Sequence, residues 1–226
     1  MKSLTIAIDG PSGAGKSTSA RALAQRLQLA HLDTGAMYRA LAVALLADGW
    51  DPACEEEVLD HLADYDLTVE FAGPEQRTLV NGVDRTGDLY SSAASRGASD
   101  VSRYSQVRSY LVDKQRKLAQ SQSFILDGRD IGTVVLPDAD IKFFLTASPA
   151  TRASRRWQEL QAKGENLSLA EVLANIEARD YQDSHRADSP LKCAADAHLI
   201  DSSQLSFDQV LDLMLQLMRD QGLEVE

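Results

Sequence analysis

The sequence has few of the side chains that bind transition metals or form disulfides. Its 226 residues include only two cysteines and four histidines. Cys54 and Cys193 belong to no CxxC motif, and no two histidines form an HxxxH pair. We therefore expect two reduced thiols and no transition-metal site.

Basic residues are also in the minority. There are 23 Lys and Arg against 34 Asp and Glu, which gives a formal charge of −11. A nucleic-acid-binding or membrane-surface protein needs a basic surface, and this balance argues against both classes. No apolar run approaches the roughly 20 residues of a membrane-spanning helix, and the N-terminal MKSLTIAID does not read as a signal peptide. We expect a cytoplasmic monomer that binds neither nucleic acid nor membrane.

Short apolar runs alternate with amphipathic segments along the chain. The patterns predict strands at 4–9, 124–126, 141–145 and 197–200, and helices at 16–29, 36–47, 104–121, 151–162, 169–183 and 207–221. Strands that alternate with helices favour an α/β fold of three layers, in which both faces of a central parallel sheet are covered. We expect a single unit over residues 1–226.

One stretch, residues 66–88, interrupts this alternation. Apolar and polar residues alternate from 67 to 71, and turns are predicted at Gly-Pro 73–74 and Asn-Gly 81–82. This pattern is typical of a small antiparallel β element. Because its neighbours read as helices, we interpret it as an insertion.

A glycine-rich loop follows the first predicted strand and precedes a predicted helix. It matches GxxxxGK[ST] in the context that the motif requires, although a chance glycine turn is the alternative. Glycines let successive N–H groups converge on one anion, and the helix N-terminus adds its dipole. Lys16 can reach the β and γ phosphates of a nucleoside triphosphate, and Ser17 can offer a hydroxyl to Mg²⁺. The residues expected to bind the triphosphate are Gly10, Pro11, Ser12, Gly13, Ala14, Gly15, Lys16, Ser17 and Thr18.

Such a loop occurs both in small-molecule kinases and in GTPase-type switches. A switch needs a guanine-reading NKxD, which the sequence lacks. Its nominal DxxG, at 84–87, lies in the predicted hairpin and not after a buried strand. A kinase needs additional cationic groups around the transferred phosphate.

Two segments at predicted strand or helix ends could supply part of a ligand site. Residues 33–39, DTGAMYR, open a helix whose N–H groups and Arg39 could hold an acceptor phosphate. Residues 127–130, DGRD, follow a strand at the edge where open α/β sheets bind ligands, and Asp127 could hold Mg²⁺ through water. The alternatives are a capped helix with a surface arginine, and a turn closed by internal hydrogen bonds.

Arginines recur on two later helices. Arg152, Arg155 and Arg156 share one helical face, before a loop at 163–166 that is typical of a lid tip. The alternative is a solvated face on which Arg155 pairs with Glu159. Arg179, Asp183 and Arg186 form a second stripe, which is either a salt-bridge ladder or a strip that reads a sugar and a base.

Taken together, these segments resemble the bacterial cytidylate kinases, a family of P-loop nucleoside monophosphate kinases. The resemblance rests on IDGPSGAGKST, LDTGAMYRA, DGRDIGTVVLPDADIKFFLTAS, RASRR and the AxDAxxIDSS end, and it runs from the first strand to the last helix. Adenylate kinases are similar at the loop but lack the DGRDIGTVV segment. The family implies the reaction ATP + (d)CMP → ADP + (d)CDP with Mg²⁺.

The resemblance also implies a division of the chain and a role for single residues. A P-loop core would comprise about 1–35, 106–150 and 165–226, an acceptor-binding segment about 36–105, and a lid about 151–164. Ser99, Arg108, Asp130 and Arg186 fall where the family reads cytosine, with Ser95 and Ser102 as alternatives to Ser99. Arg179 and Asp183 fall at the sugar. The acceptor phosphate would be held by Arg39 and Arg129, beside Thr34 and Tyr38, and the groups acting on the transferred phosphate would be Lys16, Arg129, Arg152, Arg155 and Arg156.

Hydrogen-bonding chemistry agrees with a cytosine site. A carboxylate accepts from the N4 amino group, and arginine donates to N3 and O2. Uracil reverses the pattern at positions 3 and 4, and each mispaired buried group would cost roughly 1–3 kcal/mol. A kinase for UMP or for a non-nucleotide metabolite, and a nucleotide-binding regulator without turnover, remain as alternatives.

Overall fold

The structure is a computed structural model that describes residues 4–72, 75–120, 122–162 and 164–223. Its strands are β1 (Thr5–Asp9), β2 (Ala30–Asp33), β3 (Leu67–Ala72), β4 (Glu75–Val80), β5 (Val83–Asp84), β6 (Phe124–Asp127), β7 (Ile141–Thr146) and β8 (His198–Asp201). Its α-helices are α1 (Lys16–Leu27), α2 (Thr34–Ala47), α3 (Glu55–His61), α4 (Ser92–Val101), α5 (Ser105–Ala119), α6 (Pro149–Ala162), α7 (Leu169–His185) and α8 (Phe207–Asp220). The described residues also include two 3₁₀ turns and one π-helical turn, at Leu62–Asp64, Thr86–Asp88 and Ile131–Val135.

A five-stranded parallel sheet in the order β2-β6-β1-β7-β8 forms the centre of the molecule. Because all five strands run the same way, their carboxyl ends meet at one edge, where the phosphate loop and the DGRD segment follow β1 and β6. The predicted fold class is therefore confirmed. The sequence pattern missed β2, which reads Ala-His-Leu-Asp and lay between two predicted helices.

Apolar side chains cover both faces of this sheet. On one face, α2 and α5 pack through residues such as Met37 and Leu111 onto Phe124. On the other face, α1 and α8 pack through residues such as Leu23 and Met214. Complete burial of one such side chain contributes about 1.5–3 kcal/mol. These two cores fix the position of the sheet edge from which the candidate site residues project.

The predicted insertion is a three-stranded antiparallel sheet in the order β3-β4-β5. Asn81 and Gly82 have φ of 52° and 76°, which are the positive values that a tight hairpin turn needs. Phe71 of β3 lies 5.2 Å from Phe124 of the main sheet, between ring centroids. The predicted Gly73-Pro74 turn lies outside the described residues. Across the described ranges, each helix is too short or too polar to cross a bilayer.

Candidate active site

The phosphate loop connects β1 to α1 through three glycines with positive φ. Gly10 has φ 143°, and a Cβ atom there would lie 1.9 Å from the carbonyl oxygen of Leu145. Gly13 has φ 75°, and Gly15, at φ 93°, caps the helix that begins at Lys16. Side chains would be strained or excluded at these positions, so the loop needs glycine for its shape.

Lys16 is buried at the start of α1. Its Nζ donates to the carbonyl oxygen of Pro11 at 2.8 Å. Burial, with the nearby charge of Arg129, lowers the pKa of Lys16 to about 7. An ammonium group held in so poorly solvated a place has a strong preference for an anionic partner. Thr18, two residues further along α1, is exposed.

Asp127 at the end of β6 is the centre of a buried polar cluster. Its Oδ2 accepts from Ser17 Oγ at 2.7 Å, and its Oδ1 lies 2.6 Å from His31 Nε2. Its backbone oxygen accepts from Thr34 Oγ1 at 2.7 Å. Burial disfavours the charged carboxylate, but the hydrogen bond to His31 and the charge of Lys16 hold the pKa of Asp127 below its usual value. The cluster joins the carboxyl ends of β2 and β6 to the phosphate loop.

Asp9 fixes the segment that carries Arg129 and Asp130. Its two carboxylate oxygens accept from the backbone N–H groups of Ile131 and Gly132, each at 2.7 Å. Burial raises the pKa of Asp9 to about 6. These hydrogen bonds satisfy two backbone donors of a π-helical turn that would otherwise be buried without partners.

Asp33 and Arg39 form a unit at the start of α2. Asp33 Oδ1 caps the helix by accepting from Ala36 N at 3.0 Å, and Asp33 Oδ2 accepts from Arg39 at 2.7 Å. A Cβ atom on Gly35 would lie 3.0 Å from the Arg39 guanidinium, so glycine leaves room for that side chain to fold back. Tyr38 on the same turn is half-buried, and burial raises its pKa to about 12.

Arg108 and Asp130 are both buried and form an ion pair through Arg108 Nη2 and Asp130 Oδ2. This pair places guanidinium donors and a carboxylate side by side. The backbone oxygen of Ser99 accepts from Gln182 Nε2 at 2.7 Å and from Ser102 Oγ at 2.9 Å. The hydroxyl of Ser102 is therefore engaged, which favours Ser99 over Ser102 as the serine available to a ligand.

Asp183 on α7 lies between arginines. It accepts from Arg129 Nε at 2.8 Å, and Arg186 lies 3.9 Å from its other oxygen. Burial, with the charge of Arg129, lowers the pKa of Arg179 to about 10. Buried arginine Nε atoms that have no hydrogen-bond partner in the described part of the chain include those of Arg39, Arg108, Arg179 and Arg186. Unpaired buried donors on clustered cations indicate a site for an anion.

Arg152, the first of the three predicted lid arginines, is anchored to the core. Its guanidinium donates to the backbone oxygens of Ala147 at 2.8 Å and Ser12 at 3.1 Å, and to Asp180 at 2.6 Å. Only 3% of its surface is exposed. The side chain therefore links α6 to the phosphate loop and to α7.

The other two lid arginines have different surroundings. Arg155 donates to the backbone oxygen of Ser202 at 2.7 Å, so the alternative pairing of Arg155 with Glu159 is wrong. Arg156 forms that ion pair instead, at 3.0 Å. Lys163, predicted at the lid tip, lies outside the described residues.

Three polar residues of this region were missed in the sequence. Asp9 stands at the carboxyl end of β1, and that position was a usable signal. His31 and Gln76 gave no signal, because a lone histidine or glutamine acquires a partner only through the tertiary fold.

A family model described as cytidylate kinase matches residues 6–220. The chain is 47% identical to the cytidylate kinase of Desulfitobacterium hafniense over 97% of this chain and 94% of that protein. It is 45% identical to the cytidylate kinase of Geobacter sulfurreducens, with the same coverage of both chains. A crystal structure of an uncharacterized protein from Eubacterium ventriosum shares the fold, with a TM-score of 0.53 at 14% identity over 96% of this chain and 98% of that one. The chain belongs to the cytidylate kinase family.

Proposed function

We propose that the protein transfers the γ-phosphoryl group of ATP to CMP and dCMP. The observation that carries this proposal is the buried Arg108–Asp130 pair beside a cluster of arginines with unpaired Nε atoms. That arrangement suits a phosphorylated ligand whose base has both a donor and acceptors. Membership of the cytidylate kinase family supports the same substrate.

The acceptor phosphate would bind near Arg39 and Arg129. Its oxygen is already anionic near neutral pH, so the reaction needs no general base. Catalysis then consists of in-line positioning and charge stabilisation. Lys16 lies in the loop that would cradle the donor phosphates, and its cost of burial would be offset once these phosphates surround it.

We propose Mg²⁺ as the metal ion, held by Ser17 and, directly or through water, by Asp127. The hydroxyl and carboxylate oxygens of this pair are the hard ligands that Mg²⁺ prefers. Over the described ranges, no three His, Cys, Asp or Glu side chains come together as a cage. Two protein ligands fit the way Mg²⁺ is bound in kinases, which is mostly through water and substrate phosphates. The ion would neutralise charge on the donor phosphates.

The base would be read by Asp130, which accepts from the cytosine N4 amino group, and by Arg108 and Arg186, which donate to N3 and O2. Asp183 and Arg179 would hold the sugar, and Ser99 would contribute from the C-terminal half of α4. In the structure Arg108 and Asp130 bind each other, so a base that contacts both would take over part of this ion pair.

A coupled assay of ADP release tests this function with ATP, Mg²⁺ and a panel of CMP, dCMP, UMP, AMP, GMP and shikimate. We expect fast turnover with CMP and dCMP and little with the other acceptors. Lys16→Met is the negative control. Equal turnover with UMP and CMP would show that the protein is a kinase but would contradict the proposed recognition of cytosine. ATP binding without turnover of any acceptor would favour a regulatory protein.

A further inference from the structure

A polar side chain of the inserted sheet, Gln76 of β4, contacts Asp33 at the candidate acceptor site. Its Oε1 accepts from the backbone N–H of Asp33 at 2.7 Å, and its Nε2 donates to the backbone oxygen of Asp33 at 3.2 Å. A glutamine amide that bonds both backbone groups of one residue fixes that residue's peptide planes in two directions.

The surroundings fix the orientation of this amide. Nε2 also donates to Thr78 Oγ1 at 3.1 Å. Thr78 lies two residues further along β4 and is fully buried. The backbone N–H of Thr78 in turn donates to Thr86 Oγ1 at 3.0 Å. Since the backbone N–H of Asp33 can only donate and its carbonyl can only accept, just one orientation of the amide satisfies all three contacts.

Asp33 is the residue on which the start of α2 depends. One carboxylate oxygen caps the helix and the other holds Arg39, so a shift of the Asp33 backbone moves both. We infer that Gln76 is a positioning residue for the acceptor phosphate, and that the inserted sheet serves to hold the Asp33–Arg39 pair at the sheet edge. The inference rests on the proposed function, because it takes Arg39 as a ligand of the CMP phosphate.

Two variants test it in the full-length protein. Gln76→Leu removes all three hydrogen bonds at similar volume, and Gln76→Glu keeps the acceptor for Asp33 N–H but loses both donors. Each lost hydrogen bond weakens positioning modestly, so we expect the KM for CMP to rise about tenfold. The KM for ATP should stay within about twofold, because the hydrogen bonds of Gln76 lead to Asp33 and Thr78, which are not residues of the phosphate loop.

Arg77→Gln is the matched control. Arg77 is the next residue of β4, so its side chain lies on the opposite face, where it pairs with Asp84 at 2.7 Å. Its loss should weaken the inserted sheet without changing the KM for CMP. Melting temperatures of all three variants separate loss of folding from loss of positioning.

The possible results separate the two proposals. A folded Gln76→Leu or Gln76→Glu variant with the wild-type KM for CMP would overturn the positioning role, as would an Arg77→Gln variant with an equal rise. If the wild-type protein itself does not phosphorylate CMP, the proposed function fails instead.

Discussion

Asp130 is the residue at which the hydrogen-bond pattern of the base should decide substrate choice. As a buried carboxylate, Asp130 can only accept hydrogen bonds. It can therefore pair with the amino group of cytosine but not with O4 of uracil, which is also an acceptor. Asp130→Asn can either accept or donate, so we predict that the ratio of kcat/KM for CMP over UMP falls by at least about tenfold. Initial rates with both acceptors measure the ratio.

Asp183→Asn is the control for that prediction. Asp183 is also buried and bonded to an arginine, but it is assigned to the sugar. Its substitution should lower activity with both nucleotides while leaving their ratio unchanged. An Asp130→Asn enzyme that keeps the wild-type CMP/UMP ratio would remove Asp130 from base reading.

Asp9 should make the stability of the protein depend on pH. The folded protein has the higher pKa, about 6 against an ordinary value of 3.8, and so binds the proton more tightly than the unfolded chain. The contribution of Asp9 to stability is therefore complete below pH 3.8 and is lost as the pH rises through 6. Relative to Asp9→Asn, the wild-type free energy of unfolding should fall by roughly 3 kcal/mol between about pH 4 and pH 7. Urea denaturation at several pH values measures it, and a constant difference would contradict the prediction.

At the scale of single residues, the sequence pattern indicated the candidate site residues that belong to a motif. It gave no sign of residues that matter only through a tertiary contact. The phosphate-loop residues and the DGRD acids stand at fixed offsets from a strand end, which a pattern can reveal. His31 and Gln76 matter because folding brings Asp127 and Asp33 to them, across 96 and 43 residues of chain. Sequence spacing carries no trace of such contacts.

At the scale of elements, the three arginines of α6 differ in their contacts, since Arg152 and Arg155 donate to backbone oxygens of the core. Within the described residues, the ion pair of Arg156 is the one with Glu159, and such a pair near the surface contributes about 0–1 kcal/mol to stability. We predict that Arg156→Gln lowers kcat at least about tenfold with little change in melting temperature. Steady-state kinetics and a thermal melt measure the two effects.

Glu159→Gln is the matched variant, since it breaks the same ion pair but keeps the guanidinium. It should leave kcat near the wild-type value. If the two variants behave alike, the ion pair matters and Arg156 has no role on the transferring phosphate.

Long amphipathic helices and buried strands were predictable, whereas β2 and α4 were not. Helix α4 reads Ser-Ala-Ala-Ser-Arg-Gly-Ala-Ser-Asp-Val, a run in which small residues replace the large apolar ones of the other helices. Its close approach to α2 explains the composition, because a Cβ atom on Gly97 would lie 2.8 Å from Ala42 Cβ. Packing against α2 therefore stabilises a helix of only ten residues.

At the scale of the whole molecule, hydrogen bonds join α4, in the segment that we propose to bind the acceptor, to the region after α6. Ser92 Oγ at the start of α4 donates to Glu165 Oε2 at 2.6 Å. At the other end of α4, the Ser99 carbonyl accepts from Gln182 on α7 at 2.7 Å. The two ends of one helix thus bind the loop and the helix that border the candidate site.

These contacts should keep water from the donor phosphate. A kinase whose lid closes poorly loses ATP to hydrolysis, because water competes with the acceptor. We predict that Ser92→Ala raises the phosphate released per CDP formed several-fold, because the loop at Glu165 loses its bond to α4. Glu165→Gln still offers Ser92 an acceptor oxygen and should stay close to the wild-type ratio. Parallel assays of phosphate and CDP measure the partition. If Ser92→Ala leaves it unchanged, this hydrogen bond has no part in excluding water, and the contact between Gln182 and Ser99 becomes the one that must hold the segments together.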